Sequence, residues 1–350
     1  MARHITVVGA GVVGLACAWD IARRGAAVRV VEAGRVGGRS SGGTVGALAP
    51  HAPENWNPKK QVQLDALVAA EGWWAGVRAA GGDDPGYDPG YGRTGRVQPL
   101  ADHAQVAAAR MRVEAAARNW PRPFGMAVTD DPGALPCPSP TGLYLHDSLT
   151  ARIAPRAACA ALATAVRAAG GTVEEDAGPQ SPETLDGTVI WATGAPGLAD
   201  LSRDLGRAVG NGVKGQSALL CFSAPGAAQV FAGGLHIVPH GDGTVAIGST
   251  SEREFADPSA TDAQLDALVA RAREVCPALA DAPVIDAWAG VRPRAQSRAP
   301  LLGGWPGRPG HFVANGGFKI GFGMAPAMAA IMADLVLSGE DRIPDGFRLG

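Results

Sequence analysis

Aromatic residues make up only 5% of the 350-residue chain and charged residues 18%, with 31 basic side chains against 33 acidic ones mixed along its length. Without a basic surplus or a run of one sign, nothing would gather phosphates along a nucleic-acid backbone, so no nucleic-acid partner is expected and a small molecule is. Cysteine is scarce. Cys17, Cys137, Cys159, Cys221 and Cys276 are odd in number, widely spaced and without a C-x-x-C, which argues against a disulfide framework or a structural zinc and for a reducing compartment. No pair among His51, His236 and His240 has a metal-ligand spacing, so no metal is expected. Long apolar runs are also missing. The first, Ile5 to Val8, is too short for a signal h-region, and no later stretch reaches about 18 apolar residues without charge or proline. The expectation is a soluble, cytoplasmic protein with no transmembrane segment. There is no internal repeat and no low-complexity tail.

What the chain does have is 46% hydrophobic residues, enough for a sizeable core, and a length that suits two domains at roughly 100 to 200 residues each. Residues 4 to 32 read as strand, helix, strand, with Gly25 where a helix C-cap glycine belongs. Helical patterns follow from Gln61 to Arg78 and from Pro155 to Ala169, with Gly81 to Gly95 between them dense in Gly, Pro and Asp. Thr172 to Glu174 and Thr188 to Ala192 read as strands. Ser217 to Phe222, Leu235 to Val238, Thr244 to Gly248 and Val284 to Trp288 suggest a mostly antiparallel sheet, with one helix near Thr261 to Val275. A strand at His311 to Ala314 and a helix from about Met324 to Leu337 close the chain. Pro326 is tolerable there only in a first turn. The fold class expected is α/β, a Rossmann-like dinucleotide-binding domain with a parallel sheet plus a smaller domain with a mainly antiparallel sheet. The first would comprise residues 1–80, 145–207 and 292–350, and the second residues 81–144 and 208–291.

Gly9-Ala10-Gly11-Val12-Val13-Gly14 is a G-x-G-x-x-G between a strand and a helix. The first glycine makes the turn, the second lets backbone approach a pyrophosphate, and the third lets helix and strand pack closely. Glu32 ends the second strand 18 positions past Gly14, where a carboxylate can accept ribose hydroxyls and disfavours a 2′-phosphate. The triplet does not choose between FAD and NAD. The small and hydroxylated residues of Gly37 to Gly46 suit a loop laid along a pyrophosphate and a ribityl chain.

Taken in order, Gly37 to His51 (GGRSSGGTVGALAPH), Ala192-Thr193-Gly194, Gly290-Val291-Arg292-Pro293 and Gly316 to Gly323 (GGFKIGFG) resemble the D-amino-acid oxidase superfamily, nearest its glycine oxidase and sarcosine oxidase members. The resemblance implies FAD. On it would lie Gly9, Gly11, Val12, Val13 and Gly14, then Glu32 and Ala33, then Arg39, Ser40, Ser41, Val45, Gly46 and Ala47. Val173, Ala192, Thr193 and Gly194 would join them, as would Gly316, Gly317, Phe318, Lys319 and Ile320. Covalently flavinylated relatives use a cysteine shortly before the glycine loop. No cysteine follows Cys276, so non-covalent FAD is expected.

The same resemblance gives Arg292 the substrate carboxylate, which a guanidinium fork matches with two parallel hydrogen bonds. It ranks Lys319 second. His236 falls where glycine oxidases usually carry a tyrosine, which leaves substrate identity open. The implied reaction is hydride transfer from the amine-bearing carbon of a small amino acid or N-substituted amino acid to flavin N5. The resulting imine hydrolyses to an oxo acid plus amine or ammonia, and O2 or another acceptor takes the electrons. Three alternatives stand beside it: a flavin-dependent hydroxy-acid dehydrogenase using His236 or His51 as base, an NAD-linked dehydrogenase, and a non-catalytic flavin-binding module. Oligomeric state, including a homo-oligomer, is open.

Overall fold

A computed structural model describes residues 4–82 and 87–349; residues 83–86 of the expected Gly81 to Gly95 loop lie outside that range. In chain order the strands are β1 (His4–Val8), β2 (Ala27–Val31), β3 (Ala47–Leu48), β4 (Arg96–Pro99), β5 (Met126–Thr129), β6 (Tyr144–Asp147), β7 (Ala151–Arg152) and β8 (Thr172–Glu174). They continue with β9 (Thr188–Trp191), β10 (Gly210–Cys221), β11 (Gln229–Ala232), β12 (Leu235–Pro239), β13 (Thr244–Gly248), β14 (Val284–Ala295), β15 (Leu301–Gly304) and β16 (His311–Asn315). The helices are α1 (Val12–Arg23), α2 (Pro58–Ala80), α3 (His103–Asn119), α4 (Pro155–Ala168), α5 (Gly194–Asp204), α6 (Ala263–Val275) and α7 (Gly321–Ser338).

Six strands form one sheet in the order β15-β16-β9-β1-β2-β8. All its pairs are parallel except β15 with β16. Alternation along its strands covers both faces. Val7 and Ile190 point into a core shared with α1, α2, α4 and α7, while Val8, Val189 and Trp191 point the other way, toward Leu198 and Leu201 of α5. Gly25, at φ 86°, ends α1 as a left-handed residue, the conformation that glycine adopts without a Cβ penalty.

A second sheet of eight strands runs β14-β10-β13-β12-β11-β4-β6-β5 and is antiparallel except for β11 with β4. One face is apolar. Leu220, Ile237, Val245 and Ile247 pack there with Leu265, Val269 and Ala272 of α6. The opposite face, which carries His236, looks back toward the six-stranded sheet and forms one wall of the central cavity. The two-residue strands β3 and β7 pair antiparallel between the sheets. β6 and β14 run across boundaries placed at residues 145 and 292 from the sequence.

Several elements differ from the sequence reading. β14 extends through Pro293 to Ala295, which a proline permits because β14 is an edge strand paired only with β10. Three strands and helix α3 fill residues 96–147, where the sequence offered no pattern. Helix α7 starts at Gly321, which puts Pro326 in its interior rather than its first turn; its ring offers no N–H to the Phe322 carbonyl. Residues Phe318–Ser338 are apolar and long enough to cross a membrane by length and composition alone, but here the helix packs between α1 and α2 in the core.

Candidate cofactor and substrate site

A single cavity of about 470 Å3 runs from the N-terminus of α1, past the loop that precedes β3, to the open face of the eight-stranded sheet. Its first end is shaped by missing side chains. A Cβ on Gly14 would sit 2.0 Å from the Gly9 carbonyl oxygen, and one on Gly9, whose φ is 105°, would sit 2.6 Å from that of Ala192. Only glycine lets β1, α1 and β9 come this close. Gly11 caps α1 without a side chain. The N–H of Val12 donates to Ser41 Oγ at 3.0 Å, and the helix start lines the cavity with its positive dipole end.

Glu32 is buried at the end of β2, just behind this turn. Its two carboxylate oxygens accept the N–H groups of Ala10 at 2.7 Å and Gly34 at 3.0 Å. A carboxylate has about four acceptor positions, so capacity remains for two ribose hydroxyls. Glycines that admit no Cβ, a helix start open to the cavity and an oriented acid together suit the adenine side of a dinucleotide.

The middle of the cavity is a loop pinned to both sheets. Thr44 Oγ1 donates to Ser217 Oγ at 2.8 Å, and His240 Nε2 lies 2.8 Å from the Thr44 carbonyl oxygen. Gly46 has φ 58°, and a Cβ there would fall 1.8 Å from the Ile153 carbonyl oxygen. The opposite wall comes from Gly317, Phe318, Lys319 and Ile320, a 3-10 turn that leads into α7. The first-turn N–H groups of α7 have no partner within the helix. Gly321 and Phe322 of that turn line the cavity.

The far end is charged. Arg292, buried on β14, donates from Nη1 to Ser249 Oγ at 2.7 Å and from Nη2 to the carbonyls of Thr250 at 2.7 Å and Lys214 at 3.2 Å. Its Nε has no partner. Burial pushes the guanidinium down to about 10, with Glu252 pulling it back up, so it stays charged at neutral pH although its hydrogen-bonding partners are all uncharged. Gly215 makes room for it, since a Cβ there would lie 2.3 Å from Nη2. The Phe318 ring gathers three cations, with Arg292 at 5.6 Å and Arg294 and Lys319 at 5.8 Å. Lys319 is held below its ordinary range by burial and then by Arg292 and Arg294. His236 is pushed down to about 4 by burial, then by Arg96 and Lys319, so it is neutral, and its Nδ1 has no hydrogen-bond partner.

Most residues proposed from the sequence come together here. Gly11, Val12, Val13, Ser40, Ser41, Val45, Gly46 and Ala47 line the cavity, as do Ala192, Gly194, Gly317, Phe318, Lys319, Ile320, His236 and Arg292. Gly9, Gly14 and Glu32 shape the turn from behind, and Gly316, at φ 75°, bends the chain into the 3-10 turn. Ala33, Arg39, Val173 and Thr193 do not line the cavity. Arg39 is exposed, Val173 pairs with Val30, and Thr193 precedes α5. His51 and His240 also fall outside the lining. Arg96, Phe231, Trp288 and Ser249 were missed, and all four line the cavity. A signal existed for Trp288, because a Cβ on Gly290 would lie 2.3 Å from its ring, and a tryptophan two residues before a glycine on one strand face is a space-sharing pattern. Arg96 and Ser249 gave none, since their roles arise from pairings across the sheet.

Comparison with known proteins gives the family and the fold. Over an alignment 388 positions long, covering all of both chains, the protein is 29% identical to a glycine oxidase of Pseudomonas putida. It superposes on the crystal structure of glycine oxidase from Geobacillus kaustophilus with a TM-score of 0.85 at 23% identity, covering 100% of this chain and 99% of that one. On the iminodiacetate oxidase of Chelativorans sp. BNC1 the TM-score is 0.84 at 20% identity, covering 98% of each chain. These two likenesses establish the fold. The family model described as DAO, FAD dependent oxidoreductase, matches residues 4–335, and the chain belongs to that family of FAD-dependent oxidoreductases.

Proposed function

We propose that the protein binds FAD non-covalently and oxidises a small amino acid or N-substituted amino acid. Bound FAD supplies the two-electron acceptor for the hydride leaving the amine-bearing carbon, and the imine left behind takes up water to give an oxo acid and an amine or ammonia. The observation that carries this reading is Arg292, a buried cation on the cavity wall with no carboxylate in salt-bridge reach among the described residues and an Nε–H left over. A substrate carboxylate would complete it. The glycine oxidase and iminodiacetate oxidase relatives support the same substrate class. No cysteine lines the cavity among the described residues, which supports non-covalent attachment at that position.

The chain's own share is placement. Arg292 and Lys319 would hold the carboxylate and so fix which carbon–hydrogen bond meets the flavin. The orphaned Nδ1 of neutral His236 can exchange a hydrogen bond with the amine. A hydroxy-acid substrate fits less well. It needs a base for an alcohol proton, and a histidine held near 4 by burial and two cations is a weak one.

The test is anaerobic addition of glycine, sarcosine, D-alanine, D-proline and iminodiacetate, one at a time, to the purified yellow protein. Bleaching of the oxidised-flavin band by any of them supports amine oxidation. A spectrum that none of them changes, together with bleaching by a hydroxy acid, sinks it.

A further inference from the structure

Arg96 belongs to no role described so far. Its side chain is nine-tenths buried on β4, with 10% exposure, and lines the cavity. Nε donates to Asp147 Oδ2 at 2.9 Å, and Asp147 Oδ1 in turn accepts the Thr150 N–H at 2.8 Å, so the guanidinium is fixed from behind. Its Nη groups have no hydrogen-bond acceptor among the described residues. The Phe231 ring lies 5.6 Å from Cζ, and its centroid is 4.6 Å from that of the His236 ring, the two planes tilted by 49°. The cavity therefore has two cation and aromatic groups, Arg96 with Phe231 on one side of His236, and Arg292 and Lys319 with Phe318 on the other.

The two cations reach the cavity from either side of His236: in the sheet β14, which carries Arg292, lies on one side of β12 and β4, which carries Arg96, on the other. His236 senses both Arg96 and Lys319, whereas Lys319 senses Arg292 and Arg294. Among the described residues the one carboxylate on Arg96 is Asp147, spent on Nε, and Glu252 is engaged with Lys214 and Gln216 near Arg292. A cavity with donors left over at two separate cations is complementary to a ligand with an anion at each end.

We propose that Arg96 is a specificity-determining residue that binds a second carboxylate, so that the preferred substrates are amino acids bearing two carboxylates, one on Arg292 and one on Arg96. This rests on the assignment of the first carboxylate to Arg292. Arg96 is a binding group here and takes no part in the redox step.

The test uses non-oxidisable analogues on the FAD-loaded enzyme, thiodiacetate against methylthioacetate, with affinities measured by calorimetry. A charge-assisted bidentate contact predicts that the wild type binds the dicarboxylate roughly 10- to 100-fold tighter, and that loss of the Nη donors brings the ratio to within about 3-fold. Arg96→Gln alone strands a buried Asp147 carboxylate and can unfold the protein, so Arg96→Gln with Asp147→Asn is the working variant, checked by its melting temperature. Equal wild-type affinities overturn the proposal without any variant, and so does a ratio unchanged in a folded double variant. If the ratio collapses as expected but no amino acid bleaches the flavin, the subsite stands and the proposed reaction falls.

Discussion

Around the start of α1 the cavity wall is defined by atoms that are not there: Gly9, Gly11 and Gly14 allow backbone to meet backbone, and the one charged group nearby, Glu32, is held by two main-chain N–H groups. Around Arg292 the wall is defined by charge. Arg292, Lys319, Arg96 and His236 come from strands β14, β4 and β12 and from the turn before α7, and their burial shifts three of them from ordinary behaviour. The first kind of site fails by steric conflict and tolerates almost nothing. The second fails by degrees, one hydrogen bond or one charge at a time.

The largest expected effect belongs to the steric end. Gly14→Val places a branched side chain where even a Cβ lies 2.0 Å from the Gly9 oxygen. The variant is expected to purify without a flavin band or not to fold at all. Yellow Gly14→Val protein with a normal melting temperature would show that the close approach is not required. At the charged end, Arg292→Ala is expected to keep the flavin band while kcat/KM for the best amino acid falls roughly 100- to 1000-fold, the scale of about 3–4 kcal/mol for truncating one partner of a buried charge pair. An unchanged kcat/KM would remove Arg292 from the carboxylate site.

The same contrast explains how much was legible in the sequence. The glycine-rich end occupies a run of some thirty residues whose glycine spacing and strand–helix–strand pattern each follow from local geometry, and the fold has that strand–helix–strand. The charged end is assembled from a row across five strands: Phe231 opposite His236, His236 opposite Gly248, Gly248 opposite Ser217, and Ser217 opposite Trp288. Nothing in a linear pattern reveals such a row, and Arg292 and Lys319 were found only through the resemblance. Arg96 was missed because its strand of four residues is too short to show a period, and Asp147, its partner, lies 51 residues on. Pro326 misled in the other direction. A buried apolar helix keeps a proline in its interior when packing on two neighbours offsets the lost hydrogen bond.

A milder change at the first end sharpens the comparison. Glu32→Gln keeps the shape but turns one acceptor into a donor facing a main-chain N–H, at Ala10 or Gly34. FAD affinity, followed by fluorescence on dilution, is expected to fall about 10-fold, one charge-assisted hydrogen bond's worth, with turnover at saturating FAD little altered. A loss as complete as that of Gly14→Val would mean the acid, too, is a steric element.

The smallest effect is at the second end and concerns pH. His236 is held near 4 in the folded protein, against about 6.5 when unfolded. Between those values the unfolded chain binds a proton that the folded one does not, so stability is full above about 6.5 and declines as pH falls toward 4. His51 and His240 are also lowered by burial and pull in the same direction, so the wild-type curve alone does not isolate His236. His236→Gln does, because it removes one of the three. Between pH 7 and pH 5 its melting temperature is expected to drop a few degrees less than that of the wild type, in line with a contribution of about 1–3 kcal/mol. Identical drops would mean that His236 is protonated in the fold as readily as in water, and the charged end would then hold one cation more than its geometry implies.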